Sequence, residues 1–289
     1  MVGGVGVKLA PWCGAAPGPL FLCIDVDADP RESIVRMTSP IERDWLPASL
    51  LATRIDTFFD EASESIAARK RLYFDDLIIE ENDANVPRSD DVGRQLCKAA
   101  QARLGRVLPD SDSEAGAFLV RLRWLREVMP ELQLPAFADA ELRELVPHAC
   151  AGCRAFAEVR HADWLGLLRS RLKAAQVQAL EREAPERLQV PSGSRLALTY
   201  EPGRPPVLAV RIQEVFGWRD TPRLAAGRVP VLLHLLAPNQ RPQQVTDDLA
   251  SFWKNTYPQV RKELRIRYPK HDWPEDPLTA SPRSKAKKS

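Results

Sequence analysis

A run of mostly apolar residues at positions 229–236, VPVLLHLL, constrains the fold of this 289-residue chain more than any other stretch. Apolar side chains occupy both sets of alternating positions, so an extended backbone would present them on both faces of a strand. A strand with one solvated face would instead alternate apolar and polar residues. We therefore predict a buried strand in this segment.

Short helices are predicted on the C-terminal side of that strand. Leu249, Phe252 and Trp253 recur at i, i+3 and i+4, which predicts an apolar stripe on a helix capped by Thr246. Pro258 would interrupt a longer helix because it has no N–H to donate, but it suits the first turn of a second helix. The C-terminal part is therefore expected to be a small antiparallel sheet packed by two short helices.

The segment YPKHDWPEDP, residues 268–277, is too rich in proline for regular structure. Tyr268 and Trp273 are large enough to bury apolar surface against a neighbouring sheet or helix, so we predict that this segment packs as a strap. The alternative hypothesis gives Lys270 and His271 a role in gripping phosphate groups. Lys270 is therefore kept as a candidate nucleic-acid-binding residue.

A basic triplet, Arg69, Lys70 and Arg71, lies between Ile66 and Tyr73 in a region that reads as a β-hairpin. Cations with aromatic neighbours are expected where a small barrel follows a nucleic-acid backbone. The alternative is a solvated edge strand whose charges prevent pairing with another chain. The residues alone favour the edge strand slightly and leave both open.

Helical periodicity begins after a polar linker at residues 82–90 and continues to about residue 184. In the stretch from residue 112, Arg121, Arg123 and Arg126 are expected on a solvated face of a helix. The apolar face of that helix is predicted to consist of Phe118, Leu122, Leu125 and Val128. Cys150 and Cys153 form an isolated CxxC without a second ligand pair at regular spacing, so no metal site is predicted. Buried thiols at a helix end are the favoured interpretation.

Composition sets the broad class. Hydrophobic residues make up 44% and charged residues 28% of the chain, values ordinary for a soluble globular protein. No apolar run is long enough for a membrane span, no signal peptide is recognisable, and five irregularly spaced cysteines argue against a disulfide framework, so a cytoplasmic location is expected. The final residues, 278–289, read as a disordered basic tail with candidate nucleic-acid contacts at Lys285, Lys287 and Lys288.

The stretch from residue 227 to 253, followed by YPKHDWPEDP, resembles the C-terminal signature of the bacterial HrpB-type ATP-dependent RNA helicases, a DEAH-box group. Further similar stretches are PERLQVPSGSRLALTY from residue 185 and FGWR from residue 216. GGVGVKLAP, LFLCIDVDAD and PIERDWL extend the resemblance to the N-terminal part. It is most specific over roughly the last hundred residues.

The resemblance implies that residues 1–83 are the oligonucleotide-binding barrel that follows the motor domains in this family and contacts RNA. It therefore favours a nucleic-acid role for Arg69, Lys70 and Arg71, with weak, non-specific binding of single-stranded RNA. The match begins inside the barrel, and neither GxxxxGK[ST] nor DEAH occurs. The resemblance thus implies that the motor domains, with their ATP and magnesium, are absent, and we expect no cofactor and no catalytic centre here.

We predict an α+β fold with an incomplete OB-like barrel at residues 1–83, a helical segment at 88–184 and a C-terminal domain at 185–277. The predicted function is the accessory C-terminal portion of an HrpB-type RNA helicase, contributing nucleic-acid contact and a scaffold for the motor. The alternative is a stand-alone, non-catalytic protein-interaction or structural module derived from such a helicase.

Overall fold

A computed structural model describes residues 1–4, 6–13, 18–27 and 33–283. The fold is α+β, as predicted, and divides into two compact units. The first unit comprises residues 1–106 and 150–159, and the second comprises residues 107–149 and the chain from residue 160 onward. Lys285, Lys287 and Lys288 lie outside the described residues. The domain boundaries stated above stay a prediction.

Thirteen strands and eight α-helices occur in the described part of the chain. The strands are β1 (Val7–Leu9), β2 (Phe21–Asp27), β3 (Ser33–Pro40), β4 (Leu51–Asp60), β5 (Ser65–Phe74), β6 (Leu77–Ala84), β7 (Arg187–Gln189), β8 (Arg195–Thr199), β9 (Val207–Arg211), β10 (Arg223–Leu224), β11 (Val229–Pro230), β12 (Leu232–Leu236) and β13 (Pro242–Thr246). The helices are α1 (Asp90–Ala102), α2 (Glu114–Val128), α3 (Asp139–Ala149), α4 (Phe156–Arg160), α5 (Trp164–Arg169), α6 (Ala174–Glu183), α7 (Leu249–Ser251) and α8 (Tyr257–Arg267). None of these helices is both long and apolar enough to span a bilayer.

The first unit contains two three-stranded sheets, in the orders β1-β3-β2 and β4-β5-β6. The second is a fully antiparallel meander, and α1 packs against β4 and β5. Ile66 and Ala68 of β5 are buried in the core of this unit, together with Leu96 of α1. No closed barrel forms among the described strands, in agreement with the predicted incomplete barrel, while its OB-like topology stays a prediction.

The second unit contains a five-stranded sheet in the order β13-β12-β9-β8-β7. Strand β12 carries residues 232–236 of the apolar run at 229–236, and its Leu233 and Leu235 are fully buried, as predicted. Val229 and Pro230 instead form β11, which pairs with β10, so the run is not one continuous strand. The sheet is mixed rather than wholly antiparallel, because β12 pairs in parallel with β9. The residues between β9 and β12, which include the β10–β11 hairpin, are numerous enough for the crossover that parallel pairing requires.

The C-terminal helices differ in two details from the sequence prediction. Asp248, rather than Thr246, caps α7, and its Oδ1 accepts a hydrogen bond from the Ser251 N–H at 2.9 Å. Thr246 instead ends β13 and bonds to the backbone of Asp248. Helical backbone is continuous from α7 to α8 through a π-helical turn, whereas the sequence predicted a break; Pro258 lies at the second position of α8, where its missing N–H costs little.

Helix α2 buries Phe118, Leu122 and Leu125, as its periodicity predicts, whereas Val128 at its end is only half-buried. The expectation that its arginines face solvent is wrong for Arg121, which is only 2% exposed and pairs with carboxylates from another part of the unit. Arg123 is half-buried, and its Nη2 donates to the Phe137 carbonyl oxygen at 2.5 Å. These partners come from distant sequence positions, so helical periodicity alone does not reveal them.

Candidate nucleic-acid interface

Strand β5 is the central strand of the β4-β5-β6 sheet and carries the basic triplet. Because successive side chains of a strand point to opposite faces, Arg69 and Arg71 share one face with Tyr73, and Lys70 lies on the other. Lys70 is exposed. The structure therefore divides the three cations predicted to act together between two faces of the sheet.

Acidic side chains on the flanking strands hold the two arginines. Arg71 Nε donates to Glu81 Oε2 at 2.6 Å, and its Nη1 donates to Asp56 Oδ2 at 3.2 Å. Arg69 Nη1 donates to the other oxygen of Glu81, and the Tyr73 hydroxyl donates to Asp56. Both guanidinium groups therefore have part of their charge compensated within the sheet.

The pKa shifts of this network follow its hydrogen bonds. The Tyr73 hydroxyl and then Arg71 lower the pKa of Asp56, while burial opposes them. Hydrogen bonding by Arg71, assisted by Arg69, lowers the pKa of Glu81. The bond to Asp56 raises the pKa of Tyr73. Both carboxylates are therefore ionised at neutral pH and compete with phosphate for the arginines.

Aromatic rings lie under guanidinium groups on the same face. The Cζ of Arg69 is 5.2 Å from the centroid of the Phe58 ring, and that of Arg54 is 5.3 Å from the Tyr73 centroid. These distances are typical of cation–π contacts. Arg54 stands opposite Arg71 in the register, is exposed, and has no ion pair among the described residues. Arg54 is therefore the least compensated cation on this face.

The sequence identified the triplet but missed Arg54 and the acids Asp56 and Glu81. Their signal is alternation on neighbouring strands, since TRID (residues 53–56) and END (residues 81–83) each place charged residues at every second position. Without the strand register, however, charges of opposite sign cannot be matched across strands. The register pairs Arg71 with both Arg54 and Glu81.

The remaining candidate cation, Lys270, is exposed on the strap of the second unit. It forms no ion pair or side-chain hydrogen bond within the described part of the chain. Neighbouring strap residues are held differently: Trp273 is 7% exposed, and its indole N–H donates to the Tyr268 carbonyl oxygen at 3.0 Å. The strap thus buries Trp273, as predicted, and leaves Lys270 free to contact an anion.

The structure also describes the surroundings of Cys150, from the CxxC pair, and of two serines in the second unit. Cys150 is 3% exposed, and burial raises the pKa of its thiol to about 12. The described residues contain no group of three or more side chains arranged to hold a metal ion. Ser192 and Ser194 both donate hydroxyl hydrogen bonds to Glu214 Oε1, at 3.3 and 2.8 Å. These hydroxyls satisfy a buried carboxylate that also binds Arg211.

Comparisons with known proteins agree with the resemblance. Residues 145–277 match the family model HrpB_C, described as ATP-dependent helicase C-terminal. Over 235 residues the chain is 36% identical to ATP-dependent RNA helicase HrpB of Escherichia coli (strain K12), a match that covers 80% of this chain and 29% of the relative.

Two solved structures also match. The crystal structure of E. coli DExH-box NTPase HrpB has a TM-score of 0.66 and 30% identity, covering 92% of this chain and 34% of that one. That of Escherichia coli DEAH/RHA helicase HrpB has a TM-score of 0.54 and 32% identity, covering 83% of this chain and 31% of that one. The chain therefore spans about a third of the length of these relatives.

Proposed function

Because this chain corresponds in sequence and fold to the C-terminal region of the HrpB-type ATP-dependent helicases, we propose that it acts as an accessory region of such a helicase. In this proposal it contacts single-stranded RNA and provides a scaffold for the ATPase motor. ATP and magnesium bind to the motor domains of the helicase, and this chain supplies no catalytic group.

The observation that carries the RNA contact is the cation–aromatic face of the β4-β5-β6 sheet. Arg54, Arg69 and Arg71 lie on it with Phe58 and Tyr73. Proteins that bind single strands without sequence preference combine cations, which follow the phosphates, with aromatic rings, which contact bases. Phosphate must displace the ionised Asp56 and Glu81 from the arginines, so this face binds RNA weakly and releases it as salt rises.

A different observation supports the scaffold role. Leu22 and Ile24 of β2 and Met37 of β3 are each more than half exposed, so two neighbouring strands present apolar side chains to solvent. Exposed apolar patches mark interaction sites in soluble proteins. The occupant we propose is the ATPase region of the helicase, which belongs to the part of the relatives beyond this match.

Fluorescence anisotropy with a labelled oligouridine tests the RNA contact. Arg54→Ala should weaken binding and lower the magnitude of the log–log salt slope by about 0.7, the contribution of one phosphate contact in a single strand. Lys70→Ala is the matched control, because Lys70 belongs to the same β4–β5 strand pair as Arg54 but lies on the opposite face of the sheet. Equal binding by both variants and the unaltered chain would contradict an RNA contact on this face.

Co-purification with the ATPase region of the E. coli relative tests the scaffold. The unaltered chain should bind that region, and Leu22→Ser with Met37→Ser should reduce the bound fraction. Absence of binding by the unaltered chain would instead favour a stand-alone interaction or structural module.

A further inference from the structure

The helical segment near the C-terminus concentrates positive charge in the second unit. Between residues 251 and 270 the sequence has six basic residues and one acidic residue, Glu263, whereas the whole chain has 41 and 39. This surplus cannot reflect the overall composition, which is nearly balanced. The structure shows where these charges lie.

Helix α8 buries one side and exposes the other. Tyr257 and Leu264 are 1% exposed, while Lys262 and Arg265 are exposed at positions i and i+3, which share a helix face. Lys254, in the π-helical turn before α8, is exposed as well. One side of α8 therefore fixes it to the unit and leaves the cationic side open to solvent.

The exposed cations of this segment have no partner among the residues that the structure describes. Within the described ranges Lys254, Lys262, Arg265, Arg267 and Lys270 form no ion pair and no side-chain hydrogen bond. By contrast, the guanidinium groups of the β5 arginines form hydrogen bonds to Glu81 and Asp56. In the described structure, a phosphate that binds Lys262 or Arg265 of α8 therefore displaces no carboxylate from them.

Arg261, on the same helix, has a different environment. Its Nε donates to the Trp273 carbonyl oxygen at 2.8 Å, and its Nη2 lies 3.1 Å from Glu275 Oε1. Arg261 therefore holds the strap against α8, whereas the neighbouring Lys262 forms no ion pair or side-chain hydrogen bond with the described residues. The helix dipole accounts for cations in the last turn, such as Arg265 and Arg267, but its effect does not extend to Lys254 or Lys262.

An apolar side chain interrupts this cationic surface. Ile266 is 85% exposed, the highest value among the large hydrophobic residues of the described chain, and it lies between Arg265 and Arg267. Lys262 is one turn before it on the same face. A single strand exposes both phosphates and apolar base surfaces, so a surface of cations around one apolar residue suits it.

We infer that the exposed face of α8 is a second contact for the phosphate backbone of single-stranded RNA, carried by Lys262 and Arg265 and extended by Lys254 and Lys270. This inference rests on the proposed RNA-binding function and adds a site in the second unit. Phosphate contacts of this kind are independent of sequence, and their strength falls as salt rises.

Anisotropy titrations of labelled oligouridine at several salt concentrations test the α8 contact in the full chain. Lys262→Ala with Arg265→Ala should lower the magnitude of the log–log salt slope by about 1.4, since each lost phosphate contact contributes about 0.7. Alanine is a good helix former, so both changes retain α8. The control is Arg204→Ala with Arg241→Ala, which removes two exposed cations elsewhere in the same unit.

The outcomes separate the inference from the proposed function. If the unaltered chain fails to bind oligouridine even at low salt, the RNA contact as a whole is wrong and the α8 site with it. If the unaltered chain binds, and the α8 and control variants show the same decrease in affinity and in salt slope, only the α8 site is overturned. A selective loss in the α8 variant supports the site.

A competition experiment distinguishes RNA from an acidic protein partner. Unlabelled oligouridine should displace the labelled strand from the unaltered chain more effectively than poly-glutamate of equal total charge. Equal or better displacement by poly-glutamate would assign the α8 face to an acidic polypeptide and overturn the RNA inference. Ile266→Ser should weaken oligouridine binding without changing the salt slope, since it removes apolar contact and no charge.

Discussion

The Nε of Arg261 donates a hydrogen bond to the carbonyl oxygen of Trp273, at 2.8 Å, and so joins α8 to the strap. The Tyr257 hydroxyl makes a second bond of this type, to the Pro274 carbonyl oxygen at 3.0 Å. Both acceptors are backbone carbonyls of a segment that has no helix or strand of its own. Side chains of α8 therefore supply hydrogen bonds that regular structure would otherwise provide.

Trp273→Ala should lower the free energy of unfolding by about 3 kcal/mol, because it removes a large buried ring and leaves a cavity. It also removes the hydrogen bond from the indole N–H to the Tyr268 carbonyl oxygen, which joins two positions of the strap. Urea unfolding at neutral pH measures the change. Lys270→Ala is the control, since its exposed side chain has no partner in the described structure and its unfolding curve should be unchanged. A Trp273 variant as stable as the unaltered chain would contradict packing of the strap.

Tyr257→Phe should cost about 1 kcal/mol at neutral pH, because the Pro274 carbonyl loses its donor in a part-buried site. Its pH dependence follows from burial, which raises the pKa of the Tyr257 hydroxyl. As pH rises above about 10, tyrosine in the unfolded chain loses its proton first, so the folded state loses stability.

The phenylalanine variant cannot titrate, so it should lose less stability than the unaltered chain between about pH 8 and pH 11. Unfolding midpoints across that range give the comparison. Tyr200, whose pKa burial also raises, still titrates in both proteins and provides a shared background slope. Parallel pH curves for the two proteins would show that the Tyr257 hydroxyl is not protected from ionisation.

The buried residues of β12 and of the strap can be predicted from the residues near them in the sequence. Leu233 and Leu235 are buried because a strand that is apolar on both faces has no stable solvated arrangement. Trp273 is buried because the prolines around it leave packing as the main way to order the strap. The burial of these residues depends on which residue types lie within a few positions of them, so it can be predicted from a short stretch of sequence.

Other features depend on partners far away in the chain. The parallel pairing of β9 with β12 and the cross-strand contacts of Arg71 require a register that no short segment encodes. The split of Arg69 and Lys70 between two faces follows once β5 is known to be a strand, but the compensation of Arg69 by Glu81 does not. The sequence therefore predicts a basic cluster on a strand, which β5 contains, but not the acids that face it. Its role as a nucleic-acid site stays a prediction.

Arg121 shows the same limitation in a helix, and it supports a third prediction. Its Nη2 donates to Glu181 at 2.8 Å, while its Nη1 lies 3.2 Å from Glu186 without hydrogen-bond geometry, and its Nε has no partner in the described structure. Replacing a buried ion by an apolar residue of similar volume is often neutral or stabilising. Arg121→Met should therefore leave the free energy of unfolding unchanged or raise it.

The two glutamates make that outcome possible, because their side chains are about half exposed and water can solvate them without the arginine. Arg121→Ala is the informative comparison: it removes the same charge and also leaves a cavity, so it should cost about 2 to 5 kcal/mol, as other large-to-small core changes do. Urea unfolding distinguishes the two variants. A methionine variant as unstable as the alanine variant would show that the charge itself stabilises the fold.

His271 leads to the last prediction, which concerns acid stability. Its ring Nδ1–H donates to Gln213 Oε1 at 3.2 Å. Burial, and then the positive charge of Arg211, lower the pKa of His271, while Asp272 partly opposes them. In the unfolded chain a histidine has a pKa of about 6.5. As pH falls through that value, the unfolded chain binds a proton before the folded chain does, so stability present above about pH 6.5 is lost at lower pH.

His271→Gln keeps a polar side chain that can donate to Gln213 and removes the titration. This variant should therefore lose less stability than the unaltered chain when pH falls from about 7.5 to about 5. His161→Gln is the control for the substitution itself, because His161 is exposed and lies in the same unit as His271. Unfolding midpoints in urea at each pH give the three curves. A His271 variant whose curve runs parallel to that of the unaltered chain would show that His271 titrates alike in the folded and unfolded states.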